Sequence, residues 1–487
     1  MLGDASPWSI PGAAVAVALL SLAAWILEWA WWTPRRLGRA LRAQGLRGTR
    51  YRPFSGDAPE DARLNREARS QPMPLGSHDI IPRVHPMLCN AVKEHGKMPF
   101  TWFGPTPRVM ISDPDLVREI LSNKLGHYRK QRSSRMGKLL ADGVANHEGE
   151  KWAKHRRILN PAFHHEKIKR ILPVFSTCCE EMVTRWENSM SGEGLSEIDT
   201  CSEFQNLTGD VIARTSFGSN YQEGKKIFQL QGELAKRLMQ AFQTFFIPGY
   251  WFLPTKNNRR MRAIDREIRM IMQGIIGKKE RAIKNGEASS NDLLGLLLES
   301  NMQQSNGKAG QGMTCTQSGK SRQREEVLHH FGRATPDYEH LSRLKIVTMI
   351  LYEVLRLYPP VTYLTRRTYK ATELGSIKYP KGVTLILPLL FIHHDPDIWG
   401  EDASEFNPQR FADGISSAAK HPSAFFPFGG GPRICIGQNF ALLEAKMALS
   451  TILQRFSFEL SPSYTHAPYT MMTLQPQHGA QIRLRKI

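Results

Sequence analysis

Ten residues near the C-terminus, Phe428-Gly429-Gly430-Gly431-Pro432-Arg433-Ile434-Cys435-Ile436-Gly437, set one cysteine in a glycine-rich, basic loop headed by an aromatic ring. Glycine at four of the ten positions removes Cβ atoms that would keep backbone N–H groups and a following helix away from the sulfur. Phe428 can pack against a flat cofactor and keep water from the cysteine, while Arg433 can reach an acidic group at the cofactor's edge. A cysteine so presented suits a thiolate ligand to haem iron, where sulfur donates electron density and favours O–O cleavage over reversible oxygen binding. Cys435 is therefore the candidate metal ligand, with Phe428, Gly431, Arg433 and Gly437 as cofactor-binding residues around it. An ordinary Gly-rich turn beside a buried cysteine would need neither the ring nor the arginine.

The chain has 487 residues, 41% of them hydrophobic, enough for a large core and too many for a disordered protein. Its six cysteines contain no C-x-x-C pair and no zinc-like spacing, which fits a reducing compartment. The adjacent Cys178 and Cys179 read as core or helix-surface thiols. A formal charge of +20 is dispersed and comes with no nucleic-acid motif, so a membrane surface and an acidic redox partner are the expected beneficiaries, not nucleic acid.

Residues Pro11 to Trp32 form an apolar run with Glu28 as its only charge, about the length of ~20 residues that a bilayer-spanning helix needs. Tryptophans 25, 29, 31 and 32 gather at its C-terminal end, and Arg35, Arg36, Arg39 and Arg42 follow. Indoles favour the membrane interface and arginines the cytosolic side, so residues 1–33 read as a single-pass anchor with the rest of the chain cytosolic. A cleaved secretory signal would have a basic start and a shorter core.

Residues 34–71 are Arg-rich and polar, which predicts a basic linker on the membrane surface. Residues 72–487 would then form one large domain. Pro99 to Pro114 predicts two short strands around a Gly-Pro turn. Residues 165–190, 225–245 and 258–285 carry apolar side chains at three- and four-residue intervals, as amphipathic helices do. The aromatic stretch 245–254, broken by Pro and Gly, cannot be a regular helix; it suits either a membrane-dipping entrance for lipophilic substrates or a buried loop. Residues 301–324 have almost no apolar side chains and four glycines, so a polar loop is expected there.

Glu353 and Arg356 are i,i+3 neighbours in an apolar-periodic stretch ending at Tyr358-Pro359-Pro360. Downstream, Phe406-Asn407-Pro408-Gln409-Arg410-Phe411 offers a second arginine, and a Glu353/Arg356/Arg410 triad would brace the fold structurally. With these motifs in this order before the cysteine loop, the chain resembles the microsomal cytochromes P-450, the haem-thiolate monooxygenases. Lys151-Trp152-Ala153-Lys154-His155-Arg156 is similar to that family's Trp-x-x-x-Arg signature, which implies that Trp152 and Arg156 approach haem propionates. Arg366 falls where the family often places another propionate arginine. Gln44 to Gly48, Tyr51 to Pro53, Gly143 to Asn146 and Leu351 to Pro360 are similar to the plant clan typified by secologanin synthase, whose members oxidise terpenoids. The resemblance covers about Trp32 to Ser300 and Glu325 to Ile487. It implies a mainly α fold with a small β-sheet region behind a transmembrane helix, and haem b held by Cys435. It further implies residence in the endoplasmic reticulum membrane, a lipophilic substrate, and electrons from NADPH–cytochrome P-450 reductase docking at Lys151, Lys154 and Arg157.

One family element has no counterpart: the distal helix whose acid and alcohol deliver protons to oxygen. Ala309-Gly310-Gln311-Gly312-Met313-Thr314 lacks the acid and places its threonine one position late. A helix crossing such a domain needs on the order of 30 residues, and 301–324 is too short and too polar. The pattern predicts an excised block between two intact pieces, as from a skipped exon, mis-splicing or a faulty gene model, with no confidently placed catalytic residue. Two alternatives to a monooxygenase follow: a non-catalytic product of the same gene, and a haem-thiolate isomerase or dehydratase that needs no oxygen relay. His393 and His394, adjacent and therefore pointing apart, read as structural.

Overall fold

The computed structural model describes residues 9–131, 135–190, 194–217, 221–242, 250–285 and 320–487. Thr314, most of the polar segment and residues 245–249 of the aromatic stretch lie outside them; Tyr250–Phe252 is a single 3-10 turn.

Helices dominate, and their apolar spacing explains why. Along His165–Asn188, Ile168, Ile171, Leu172, Phe175, Cys178, Cys179, Met182, Val183 and Trp186 recur every three or four residues, and all are buried. They pack against Phe440, Leu443 and Met447 of the helix Gln438–Arg455, forming a helical core. Tyr221–Phe242 and Lys256–Lys284 pair through a smaller cluster of Leu230, Leu234, Leu238, Met261 and Ile264.

A second core lies on a five-stranded sheet whose order is Phe100–Phe103, Thr106–Met110, Thr384–Leu387, Leu364–Thr368, Tyr128–Arg129. The first two strands form the hairpin expected around Gly104, which holds φ +54°. Only the contact between Thr106–Met110 and Thr384–Leu387 is parallel. Tyr128 faces Thr368 and Arg366 faces Leu385, a register that brings two distant basic segments to one edge of the sheet.

The N-terminal helix Ser9–Leu27 runs through a π turn, Glu28–Trp32, into Thr33–Arg42. It is the helix long and apolar enough, among the described residues, to cross a membrane. The stretch beginning at Pro34 is less a linker than its composition suggests. Leu37, Leu41 and Leu46 join the sheet core, and a Cβ on Gly38 would lie 3.1 Å from the Trp102 ring. Arginines dominate the composition there, but Leu37, Gly38 and Leu41 share one helical face at the three- and four-residue spacing that packing requires. The C-terminal end of the polar segment also departs from the loop reading: Lys320 to Arg324 open the helix Lys320–Phe331. Its Val327 and Phe331 are buried in the helical core, and that packing stabilises a first turn too polar to fold alone.

Candidate functional site

The cysteine loop is held from below. Gly431 adopts φ +64°, and a Cβ there would sit 2.3 Å from the Leu121 carbonyl oxygen at the end of helix Pro114–Ser122. Only glycine tolerates both the conformation and the approach. Inside the loop the Cys435 N–H donates to the Phe428 oxygen at 2.9 Å, fixing the ring relative to the sulfur. Cys435 is exposed, and three residues later the helix Gln438–Arg455 begins.

Helix Gly149–Leu159 lies beside the loop and presents Trp152 and Arg156, one turn apart. Arg156 donates to the Ile434 oxygen at 2.8 Å, and the Arg433 guanidinium stacks over Trp152 at 4.5 Å. Arg433 also pairs with Glu148 at 2.8 Å and donates to the His147 oxygen at 2.9 Å. On the same helix Lys151, Lys154 and Arg157 are exposed. Arg366, 5% exposed, joins the group from strand Leu364–Thr368.

Lys130 is the member the sequence did not single out. It follows strand Tyr128–Arg129 and donates to the Ala145 oxygen at 2.6 Å. Burial, then Arg366 and Arg433, push its ammonium down to about 8, while Glu148 opposes them. Burial and Arg433 likewise lower Arg366 to about 10. Three cations thus surround one carboxylate, leaving an excess of two positive charges in a largely buried place. Such an excess is costly unless anions arrive. A cofactor with two carboxylates at its edge fits this arrangement, beside a glycine-lined loop that exposes a cysteine. Haem has that charge, and a cysteine thiolate is one of the axial ligands that hold its iron.

The predicted triad residues meet. Glu353 and Arg356 are fully buried and joined by two hydrogen bonds of 2.8 Å. Arg410 reaches Glu353 at 3.4 Å and pairs more closely with Asp402 at 2.8 Å, and the Asn407 N–H donates to Glu353 at 2.8 Å. Arg356 continues to the carbonyls of His393 and Ala403, at 2.8 and 2.6 Å. The His393 Nε2 accepts from the Phe426 N–H at 3.0 Å, so the triad is connected to the start of the cysteine loop. Burial drives His393 down to about 3, which keeps that nitrogen free to accept. His394 bonds the Leu357 oxygen at 2.9 Å. Elsewhere, a cavity of about 450 Å³ opens between the helices Thr200–Phe217 and Tyr221–Phe242 and the hairpin Pro468–Thr470/Leu474–Pro476; its lining does not include Cys435.

The family model "Cytochrome P-450" matches residues 82–318 and 313–484, in two pieces that meet within the polar segment. Cytochrome P-450 CYP72A616 of Paris polyphylla is 55% identical over 511 residues, covering 97% of this chain and 99% of that protein. A 7-deoxyloganic acid hydroxylase of Catharanthus roseus is 46% identical over 502 residues, covering 95% and 96%. The solved structure of retinoic acid-bound cyanobacterial CYP120A1 shares the fold, with TM-score 0.69 at 20% identity over 91% of this chain and 99% of that one. Since 97% of 487 residues is about 472, the 511-residue alignment leaves about 39 positions of the Paris protein without a counterpart here.

Proposed function

The chain belongs to the cytochrome P-450 family of haem-thiolate monooxygenases, and we propose that it hydroxylates or oxidises a lipophilic plant metabolite, probed first among terpenoids. The single observation that carries the site assignment is the two-charge cationic excess of Lys130, Arg366 and Arg433 against Glu148 beside the exposed Cys435. The terpenoid class is supported by the 7-deoxyloganic acid hydroxylase relative.

Bound haem supplies reductive activation of O2, with thiolate donation favouring O–O cleavage. The chain's own contributions are positional and electrostatic. Cys435 would hold the iron, in a loop whose glycines let the backbone and the following helix come close to the sulfur. Arg433, Arg366 and Lys130 would hold the two propionates by their charge, with Trp152 and Arg156 closing that edge. Phe428 limits water at the sulfur. The Glu353/Arg356/Arg410 network fixes the loop through His393 and Phe426. Electrons come from NADPH through a membrane-bound reductase that docks on the exposed cations Lys151, Lys154 and Arg157. In this reading the enzyme sits in the endoplasmic reticulum membrane with its haem domain in the cytosol, which the apolar N-terminal helix and the arginines after it support.

A second reading is favoured by a specific observation: the family match breaks at residues 313–318, and about 39 positions of a close relative have no counterpart. In that reading this form is a non-catalytic product of a monooxygenase gene. One experiment separates the two. The reduced, carbon monoxide-bound difference spectrum is recorded for the full chain in microsomes, for Cys435→Ser, and for a chain carrying the corresponding segment of CYP72A616. A strongly red-shifted Soret band in the chain itself, lost in Cys435→Ser, supports the monooxygenase reading and leads to NADPH-dependent terpenoid turnover. A red-shifted band only in the restored chain supports the second.

A further inference from the structure

The sharpest backbone departure outside the cofactor site lies beside the membrane anchor. Phe54 holds φ +62°, a left-handed conformation that a bulky L-residue adopts only when its surroundings impose it. Its ring is 44% exposed, and its nearest aromatic neighbour is Trp29, 6.3 Å away in the last turns of the apolar run. A large apolar side chain is thus held out toward solvent at the level where the anchor leaves the bilayer.

The anchor is also fastened to this loop. Pro34 has no N–H to give the carbonyl four residues before it, that of Ala30. The Tyr51 hydroxyl donates to that carbonyl instead, at 2.6 Å, and the hydroxyl oxygen itself accepts from the Phe54 backbone N–H. The Tyr51 ring packs on Trp102 at 4.6 Å, inside the sheet core. One hydroxyl therefore ties together the anchor helix, the loop and the domain. Around it the sequence from Thr33 to Gly56 carries seven arginines and no Asp or Glu. Arg50 and Arg52, which flank Tyr51, are exposed, and Arg35 stacks on Trp31 at 3.6 Å. Apolar tip, arginine flanks and rigid attachment to a spanning helix match the chemistry of an anionic bilayer surface.

We propose that the loop from Arg50 to Phe54 is a second membrane contact, locked to the anchor by Tyr51, in which Phe54 enters the headgroup layer and Arg50 and Arg52 engage the phosphates of anionic lipid. The inference rests on the reading of the N-terminal helix as a membrane anchor. It makes the domain's tilt on the bilayer a property of the fold, where a flexible linker would leave it free.

The test uses the full chain in lipid nanodiscs with phosphatidylserine, in discs of phosphatidylcholine alone, and in detergent. Hydrogen exchange is followed over residues 50–56 and 28–34, with alkaline carbonate extraction of microsomes in parallel. Exchange over 50–56 is expected to be slowest with phosphatidylserine. Each arginine at an anionic surface contributes on the order of fivefold, so Arg50→Gln/Arg52→Gln should lose roughly 25-fold of that protection. Phe54→Ser should lose protection in the loop alone, whereas Tyr51→Phe should lose it at both segments. Equal exchange over 50–56 in all three environments, in a chain that resists carbonate, overturns the proposal and leaves the anchor standing. Release by carbonate overturns both.

Discussion

Replacing Glu444 by glutamine should stabilise the protein, and only at high pH. Glu444 lies on the helix that follows the cysteine loop, is 8% exposed, and its Oε1 has no hydrogen-bond partner among the described residues. Burial raises its carboxyl from 4.5 to about 7. At 1.36 kcal/mol per pH unit, the native state pays about 3 kcal/mol to ionise this group. Because the native value lies above the unfolded one, the favourable contribution is complete below pH 4.5 and is lost as pH rises through 7. Glutamine keeps the shape and cannot ionise. Denaturant unfolding of the solubilised full chain, followed by tryptophan fluorescence, should therefore give equal stabilities near pH 4.5 and a variant about 3 kcal/mol more stable at pH 8.5. Lys446, pushed down to about 8 by burial, also titrates in this range, but it does so in both proteins and cancels. A glutamine variant that is less stable at pH 8.5, or a gap independent of pH, would refute the argument, since either requires that the carboxylate has a compensating partner.

Three further outcomes follow from the same geometry. Glu353→Gln leaves the buried Arg356 charge uncompensated and should cost roughly 3–5 kcal/mol, with loss of bound haem; a cost below about 1 kcal/mol would mean that the carbonyls of His393, Ala403 and Glu405 suffice for Arg356. Lys130→Met should weaken haem retention while leaving unfolding in the haem-free chain unchanged or improved, because it removes one of three mutually repelling cations; haem titration against both proteins checks it. His85, His393 and His394 are buried and depressed to about 4, 3 and 4. Their contribution is present above pH 6.5 and lost as pH falls through 4, and the lowered His78, His147, His330 and His466 act in the same direction, so in a Glu444→Gln background stability should fall steadily from pH 6.5 to 4; a flat profile in denaturant unfolding would refute the reading.

The parts of the site that sequence made legible are those whose meaning is local. Cys435 and its glycines are contiguous, Glu353 and Arg356 are one helical turn apart, and Trp152 and Arg156 likewise. Lys130 had no such signature: it is one basic residue among many, and its meeting with Arg366 and Arg433 depends on strand Tyr128–Arg129 pairing with Leu364–Thr368, more than 200 positions away. Glu444 did carry a signal, since it shares a helical face with Phe440, Leu443 and Met447, which predicts burial for whatever occupies that position. Tyr51 could be reached only by asking where the Ala30 carbonyl finds a donor when Pro34 cannot provide one. The packing of Leu37, Gly38 and Leu41 escaped the composition for a related reason. Composition averages over a segment, whereas packing is decided by the few residues on one face, and Leu37, Gly38 and Leu41 outweigh the arginines between them. Charge therefore reports where this chain meets membrane and cofactor, while the small apolar minority beneath the arginines sets how rigidly those surfaces are held.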